Sequence, residues 1–294
     1  MGDDEARPAP RGEQAPGGDP AAPEVMDGIQ SLHERIDELH RLVAQRLGAE
    51  GMQASGWLRD TATAAVHARP DLPAWRRSTQ GELRYPASII TSVAIGLQVL
   101  VPDQLVLVTP KWVLPAVQGA LLLVLISANP HRINRRSRIT RMVSLALGIL
   151  LMLANAWSVA RLAVGITRGW LGQTAGPLLI TGGVIWLTNV IVFALWYWEL
   201  DRGGPVARAL NLGNPYPDFQ FVQMVSPPAM VPPDWEPAFL DYLYLAFTNA
   251  AAFSPTDVLP MTRWAKMAMT VQAVISIVTV ALVVSRAVNI LPTG

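Results

Sequence analysis

The chain has 294 residues, of which 51% are hydrophobic and only 15% are charged, and its formal net charge is +1. This balance is typical of a membrane protein with several spans and excludes an ordinary soluble domain. The lack of cysteine excludes disulfides and thiolate metal sites, and the near-zero net charge gives no overall attraction to nucleic acid.

The first two segments differ in composition. Residues 1–25 are rich in proline, glycine, alanine and charge, which predicts a disordered tail. Residues 26–48 carry apolar side chains at alternating spacings of three and four, which predicts a short heptad helix: Ile29, Leu32, Ile36, Leu39 and Val43. That helix either oligomerises the protein or lies as an amphipathic helix on the bilayer or on the protein.

Residues 49–84 form a polar connector in which arginines alternate with two tryptophans. The set is Arg59, Arg69, Arg76, Arg77 and Arg84, with Trp57 and Trp75. Basic and aromatic residues beside a membrane span predict contact with anionic lipid headgroups. Nucleic acid is the less favoured partner, because no compact basic domain precedes the membrane region.

The rest of the chain, residues 85–294, is predicted to be the membrane domain. Five apolar stretches are long enough for spans, at residues 85–101, 112–128, 142–166, 176–198 and 264–291. The first two are close to the lower length limit. Tryptophans stand at predicted span ends, as in an interfacial belt: Trp112, Trp170, Trp196, Trp198 and Trp264. We therefore expect an all-α, polytopic fold with about five transmembrane helices and one short re-entrant or interfacial helix.

The orientation follows from the basic residues. The loop from His131 to Arg141 carries five arginines and no acid, so the positive-inside rule places it in the cytoplasm. The arginines before the first span place the N-terminus on the same side. We therefore predict a multi-pass protein of the cell (plasma) membrane with a cytoplasmic N-terminus.

Three polar residues fall inside predicted spans. Asn155 and Asn189 each need a partner in a low-dielectric setting, and an interhelical hydrogen bond is the expected structural role. Arg161 lies about one turn from the end of its span, where it can extend to the interface. A single arginine does not make a voltage sensor.

Residues 199–237 form a loop dense in proline and glycine. Such a long connection is usually functional or loosely ordered. Glu199, Asp201 and Arg202 follow the fourth span directly. They predict either a local carboxylate–arginine cluster at headgroup level or a patch that binds a partner or an ion.

Residues 238–262 read as a hairpin: a short apolar helix, then a Ser-Pro-Thr-Asp turn before the last span. If several copies met, the polar residues Asn249, Ser254, Thr256 and Asp257 would face a shared axis, where a ring of carboxylates attracts cations. In the alternative interpretation, residues 254–257 are a simple turn in which Thr256 or Asp257 caps the following segment.

The order Asp-x-Leu-Tyr-x-x-Phe, a polar strip, an aspartate and a basic-flanked apolar helix resembles the pore loop and inner helix of the potassium-channel superfamily. In that family the strip is Thr-Val-Gly-Tyr-Gly, whereas here residues 252–256 are Ala-Phe-Ser-Pro-Thr. The resemblance covers about a sixth of the chain and implies a shared hairpin architecture without potassium selectivity. The whole chain is also similar to uncharacterised bacterial membrane proteins with the same altered turn, which implies no particular activity.

The resemblance and the span count disagree about sidedness. Potassium-channel pore loops enter from outside, whereas five spans place this hairpin on the cytoplasmic side, as in the inverted loops of glutamate-receptor-type channels. With four spans, the hairpin would lie outside. We favour five.

Two functions are expected, in this order. The first is a channel-like homo-oligomer, tetrameric if pore-forming, with a degenerate pore loop and a monovalent cation as its possible ligand. The second is a structural or accessory membrane protein that binds a partner through residues 199–237 and the N-terminal helix. Motifs for phosphate binding and hydrolysis are missing, so we expect no enzyme and no cofactor, and the lipid bilayer is the one partner that both functions share.

Overall fold

The computed structural model of the protein describes residues 72–133, 137–171, 173–252 and 257–291. The predicted tail, the predicted heptad helix and the connector up to residue 71 lie outside these residues. So do residues 253–256, which include most of the predicted turn of the hairpin.

The described part is a bundle of helices with one small sheet. The elements, in chain order, are α1 (Tyr85–Leu100), α2 (Val113–Ala128), α3 (Arg138–Thr167), α4 (Ala175–Leu200), α5 (Pro205–Ala209), β1 (Phe219–Phe221), α6 (Phe239–Ala251), β2 (Val258–Pro260) and α7 (Arg263–Ile290). Short 3₁₀ turns lie between several of them. The strands pair antiparallel, with Phe219 opposite Pro260 and Phe221 opposite Val258.

Three helices are long and apolar enough to cross a membrane: Arg138–Thr167, the stretch Ala175–Gly203 that contains α4, and Arg263–Ile290. Helices α1 and α2 have 16 residues each, or about 24 Å at 1.5 Å per residue. All five helices coincide with predicted spans to within a few residues.

Local sequence explains where these helices begin and end. Pro86 lies in the first turn of α1, where its missing N–H costs nothing, and the helix ends before Pro102, which disfavours helical backbone at Val101. Ser137 caps α3 by accepting a hydrogen bond from the Thr140 N–H at 3.4 Å. Gly169, with φ at +76°, then turns the chain just beyond the end of α3.

Helix α4 is the centre of the bundle. It packs against α1, α3, α6 and α7. In the most apolar 18-residue stretch of α4, 61% of the residues are buried, compared with 22% in the corresponding stretch of α3 and 28% in that of α7. This explains why α4 is apolar on every side, since a helix surrounded by others has no solvent-facing stripe.

The loops gather at two ends of the bundle, and one end is much larger. It contains residues 131–133 and 137–141 of the arginine-rich loop, residues 199–237 and the starts of α6 and α7, and we call it the cap end. Arg132 Nη1 donates to the Gly81 carbonyl at 2.7 Å, and an Arg141 Nη1 hydrogen bond to the Gly203 carbonyl joins the arginine-rich loop to the region after α4.

Residues 199–237, predicted as a long connection that is either functional or loosely ordered, contain regular structure. This region holds α5, β1 and three 3₁₀ turns, and it buries part of the core, including Phe219 and Phe221. Its prolines and glycines form tight turns between these short elements.

Candidate functional site

Helix α6 enters the bundle from the cap end and stops halfway along it. Its first residue, Phe239, packs edge-on against Trp198 near the end of α4. Its last turn meets the middle of α7, where Ser276 Oγ donates to the Ala250 carbonyl at 2.6 Å. Val258, which follows the undescribed residues 253–256, pairs with Phe221 at the cap end.

Asn249 is the one predicted hairpin residue that lies on α6 itself. It is 3% exposed, and its Nδ2 donates to the Met269 carbonyl at 2.9 Å and to Gln272 Oε1 at 2.7 Å. The amide is therefore engaged within its own chain. This geometry disfavours the prediction that Asn249 faces a shared axis.

The other predicted hairpin residues divide between described and undescribed parts of the chain. Ser254 and Thr256 lie outside the described residues. Asp257 precedes β2, and its charge is close enough to Asp241, in the first turn of α6, for the two carboxylates to repel. The Asp241 carboxylate itself accepts a hydrogen bond from the Ala238 N–H at 2.8 Å, which caps α6.

A polar network that the sequence does not reveal connects α6 to α4 and α7. Gln272 lies at its centre: its Oε1 accepts from Tyr197 Oη at 2.7 Å, and its Nε2 donates to the Ala246 carbonyl at 2.8 Å. One turn further along α7, Ser276 Oγ accepts from Trp186 Nε1 at 2.6 Å. A polar network buried this way fixes the helices in one arrangement, because any slip leaves a polar group unpaired.

The intramembrane polar residues lie away from the hairpin. Asn155 Nδ2 donates to Asn189 Oδ1 at 3.2 Å, which is the interhelical bond expected of such amides. Arg161 Nε donates to the Gln104 carbonyl at 3.1 Å, and its guanidinium lies 5.0 Å from the Trp170 ring centre. These contacts place the charge of Arg161 at the end of the bundle opposite the cap end.

The second candidate site is a buried cluster of charges at the cap end. Asp201 is fully buried, and its Oδ1 accepts from the Asp218 N–H at 2.9 Å while its Oδ2 accepts from Tyr242 Oη at 2.6 Å. Asp218 accepts from the Arg202 N–H at 2.9 Å and from Trp264 Nε1 at 2.7 Å. The two carboxylates thereby hold together the end of α4, the start of β1, α6 and α7.

Glu82, just before α1, forms an ion pair with Arg208 of α5. The Arg208 Nη2 to Glu82 Oε1 distance is 3.3 Å, and the side chains are 6% and 10% exposed. Glu82 also accepts from Trp198 Nε1 at 2.6 Å and from the Phe239 N–H at 2.8 Å. Burial raises the pKa of the Glu82 carboxyl, and Arg208 with these two hydrogen bonds offsets only part of that rise.

The contacts of Trp75 differ from those predicted for the connector, of which residues 49–71 lie outside the described part. Trp75 is buried, its carbonyl accepts from Arg202 Nη1 at 2.6 Å, and the Arg202 guanidinium lies 5.6 Å from its ring centre. This tryptophan therefore packs on the protein and not on lipid headgroups. The sequence shows a basic–aromatic pattern here, but it does not show which partner covers the ring.

Glu82 and Arg208 form an ion pair in this cluster, whereas the Arg202 guanidinium donates to the Trp75 and Asn214 carbonyls and to Asn211 Oδ1. Chemically the cluster is a structural clamp, since its carboxylates accept from N–H and O–H groups of the protein and not from an open cleft. Across the described ranges, no group of three or more His, Asp or Glu side chains is arranged to hold a metal ion.

No family model, no curated protein and no solved structure matches the chain. The likeness of the hairpin to the potassium-channel superfamily therefore stays a prediction from the sequence.

Proposed function

We propose that the chain is a multi-pass membrane protein that assembles with copies of itself, and that its α6 hairpin re-enters the membrane in a channel-like arrangement. The observation that carries this proposal is the depth of α6. Its 13 residues span about 20 Å, too short for a hydrocarbon layer of about 30 Å, and its last turn contacts the middle of α7.

The broken end of such a helix needs cover. Lipid offers no partner to a free carbonyl, so non-helical backbone at membrane depth is tolerated only where protein or water surrounds it. Ala251 and Ala252, at the end of α6, are exposed in the single chain. A second copy of the chain, or a water-filled space between copies, would supply the missing cover.

The proposed topology has five spans. The three long helices and the shorter α1 and α2 alternate in direction, and the arginine-rich loop lies at the cap end, where the positive-inside rule requires the cytoplasm. This supports a protein of the plasma membrane with a cytoplasmic N-terminus. It also supports a hairpin whose two ends lie on the cytoplasmic side.

Within this proposal Asn249 does not face the shared axis. The residues that would face it follow α6 in the chain: Ser254, Thr256 and Asp257. A ring of Asp257 carboxylates, four in a tetramer, would attract monovalent cations electrostatically. Asn249 would instead hold α6 against α7.

The test combines oligomeric state with ion flux. We expect a tetramer by cross-linking mass in both detergent and lipid, and cation flux into liposomes that falls in an Asp257→Asn variant. The control is Asp234→Asn, which removes a carboxylate from an exposed loop position at the cap end. A monomer in both media, or equal flux from the two variants and the unmodified protein, would overturn the proposal.

One observation favours the accessory-protein alternative. Residues 212–230 at the cap end expose apolar side chains: Leu212, Tyr216, Val222, Val225 and Met230. Exposed apolar patches mark protein interaction sites, which makes this segment the candidate surface for a partner. If the alternative holds, the purified chain is monomeric, and a Tyr216→Ser, Met230→Ser double variant loses a co-purifying membrane partner that the Asp257→Asn variant retains.

A further inference from the structure

A cavity of about 240 Å³ lies between α1, α2, α3 and α4 where they approach the cap end. Its inner wall is apolar, formed by leucines of three helices, including Leu122, Leu147 and Leu151. Its outer part is polar, formed by Arg84, Arg141 and Glu199. The cavity therefore has one charged end and one hydrocarbon-like end.

The charged end has spare capacity for an anion. Arg84 is 8% exposed, and its Nε atom is buried without a hydrogen-bond partner among the described residues. Burial lowers the pKa of Arg84, and the Glu199 carboxylate only partly opposes this. Glu199 accepts from Ser144 Oγ at 2.8 Å, and it is the one carboxylate among the lining residues, against the two guanidinium groups of Arg84 and Arg141.

We propose that this cavity binds an anionic membrane phospholipid, with its phosphate at Arg84 and Arg141 and the upper part of an acyl chain against the leucines. Basic pockets between membrane helices on the cytoplasmic side are suited to acidic lipid headgroups. The volume is slightly below the range of about 300–1,000 Å³ for whole small-molecule pockets, so part of one lipid fills it. This inference rests on the proposed membrane embedding, but not on oligomerisation or conduction.

Native mass spectrometry of the full chain in neutral detergent tests the proposal. Phosphatidylglycerol is the anionic probe, phosphatidylcholine the neutral reference, and inorganic phosphate the probe for a site that needs no acyl chain. We expect phosphatidylglycerol to be retained in preference to phosphatidylcholine, at one lipid per chain whatever the oligomeric state. Equal retention of the two lipids, or displacement of phosphatidylglycerol by inorganic phosphate, would overturn the proposal.

Two variants test the two ends of the cavity separately. Arg141→Gln removes one surface-exposed charge at the mouth, which should weaken phosphatidylglycerol binding about fivefold. Its control is Arg168→Gln, an exposed arginine just beyond the other end of α3. Unchanged binding by Arg141→Gln, or an equal loss in the control, would contradict the charged end.

A Cβ added at Gly148 of α3 meets Trp196 at an ordinary 3.8 Å. Gly148→Leu should fill the cavity and abolish retention of phosphatidylglycerol while circular dichroism stays unchanged. The matched control is Gly119→Leu in α2, where a Cβ meets nothing within 4 Å; it should bind as the unmodified protein does, because Gly119 does not line the cavity. Retention by a folded Gly148→Leu protein would show that no acyl chain enters the cavity.

Discussion

The phenol of Tyr242 donates a 2.6 Å hydrogen bond to Oδ2 of Asp201, and both residues are fully buried. Tyr242 lies in the first turns of α6, and Asp201 follows the last residue of α4. This bond therefore fixes the entry of the hairpin helix relative to the central helix of the bundle. The Tyr242 ring also lies 5.1 Å from the Arg208 guanidinium, so Tyr242 contacts both charged groups.

Tyr242→Phe should destabilise the fold without creating a cavity. Removing the hydroxyl leaves a buried Asp201 oxygen with one partner fewer, which costs roughly 1–3 kcal/mol. We expect a lower midpoint of heat-induced unfolding in detergent. The control is Tyr244→Phe on the same helix, where the ring is 50% exposed and the midpoint should not move. Equal midpoints for both variants would mean that the bond makes no net contribution.

Glu82→Ala should be more damaging than any change to a surface pair. It leaves the buried Arg208 without its carboxylate, and breaking a buried pair costs about 3–5 kcal/mol. It also removes the acceptor of the Phe239 N–H at the start of α6. The comparison is Asp103→Ala, which breaks an exposed pair with Lys111 at 3.5 Å and should cost at most about 1 kcal/mol. Similar unfolding midpoints for the two variants would contradict this account of Glu82.

The sequence predicts the helices well because their apolar stretches are long and their ends are marked. The last span was expected at 264–291 and α7 is Arg263–Ile290; the hairpin helix was expected at the start of 238–262 and α6 is Phe239–Ala251. Prolines, glycines and interfacial tryptophans are local signals. They act within a few residues of the boundary that they set.

The sites are harder to predict, because their partners are far apart in the chain. Glu82 and Arg208 are separated by 126 positions, and Tyr197 and Gln272 by 75. No local pattern pairs a glutamate in a connector with an arginine beyond the fourth span. Asn249 is predicted as a pore residue because the sequence shows a polar side chain in the hairpin. The sequence does not show that Gln272, far along the chain, faces that amide.

Asn155 and Asn189 should show strong non-additivity. Either single change to leucine leaves the other amide buried without its partner, although each amide already has one unpaired atom within the described structure. Replacing both by leucine removes both desolvation penalties, and such double replacements can be nearly neutral or stabilising. We expect each single variant to unfold at a lower temperature than the double variant. Additive losses in this double-mutant cycle would contradict an interhelical bond between them.

Gly182 and Gly183 are adjacent in α4, but only one of them can accept a side chain. A Cβ at Gly182 would lie 2.7 Å from Cγ1 of Val283 on α7, whereas a Cβ at Gly183 meets nothing within 4 Å. Gly182→Ala should therefore push α7 away from α4, at a cost of roughly 1–3 kcal/mol for overpacking. Gly183→Ala should be neutral or slightly stabilising, since alanine favours a helix over glycine by roughly 0.5–1 kcal/mol.

A second change at the contact separates steric overlap from any other effect of alanine. Val283→Ala removes both methyl groups that the new Cβ would meet, so it should restore much of the unfolding midpoint lost in Gly182→Ala. The same change alone should destabilise the protein, because Val283 is buried against α4. Unfolding midpoints in detergent for the two singles and the double give the interaction energy directly. If the double variant were no more stable than the sum of its singles predicts, close approach of α4 and α7 at Gly182 would not be what that glycine provides.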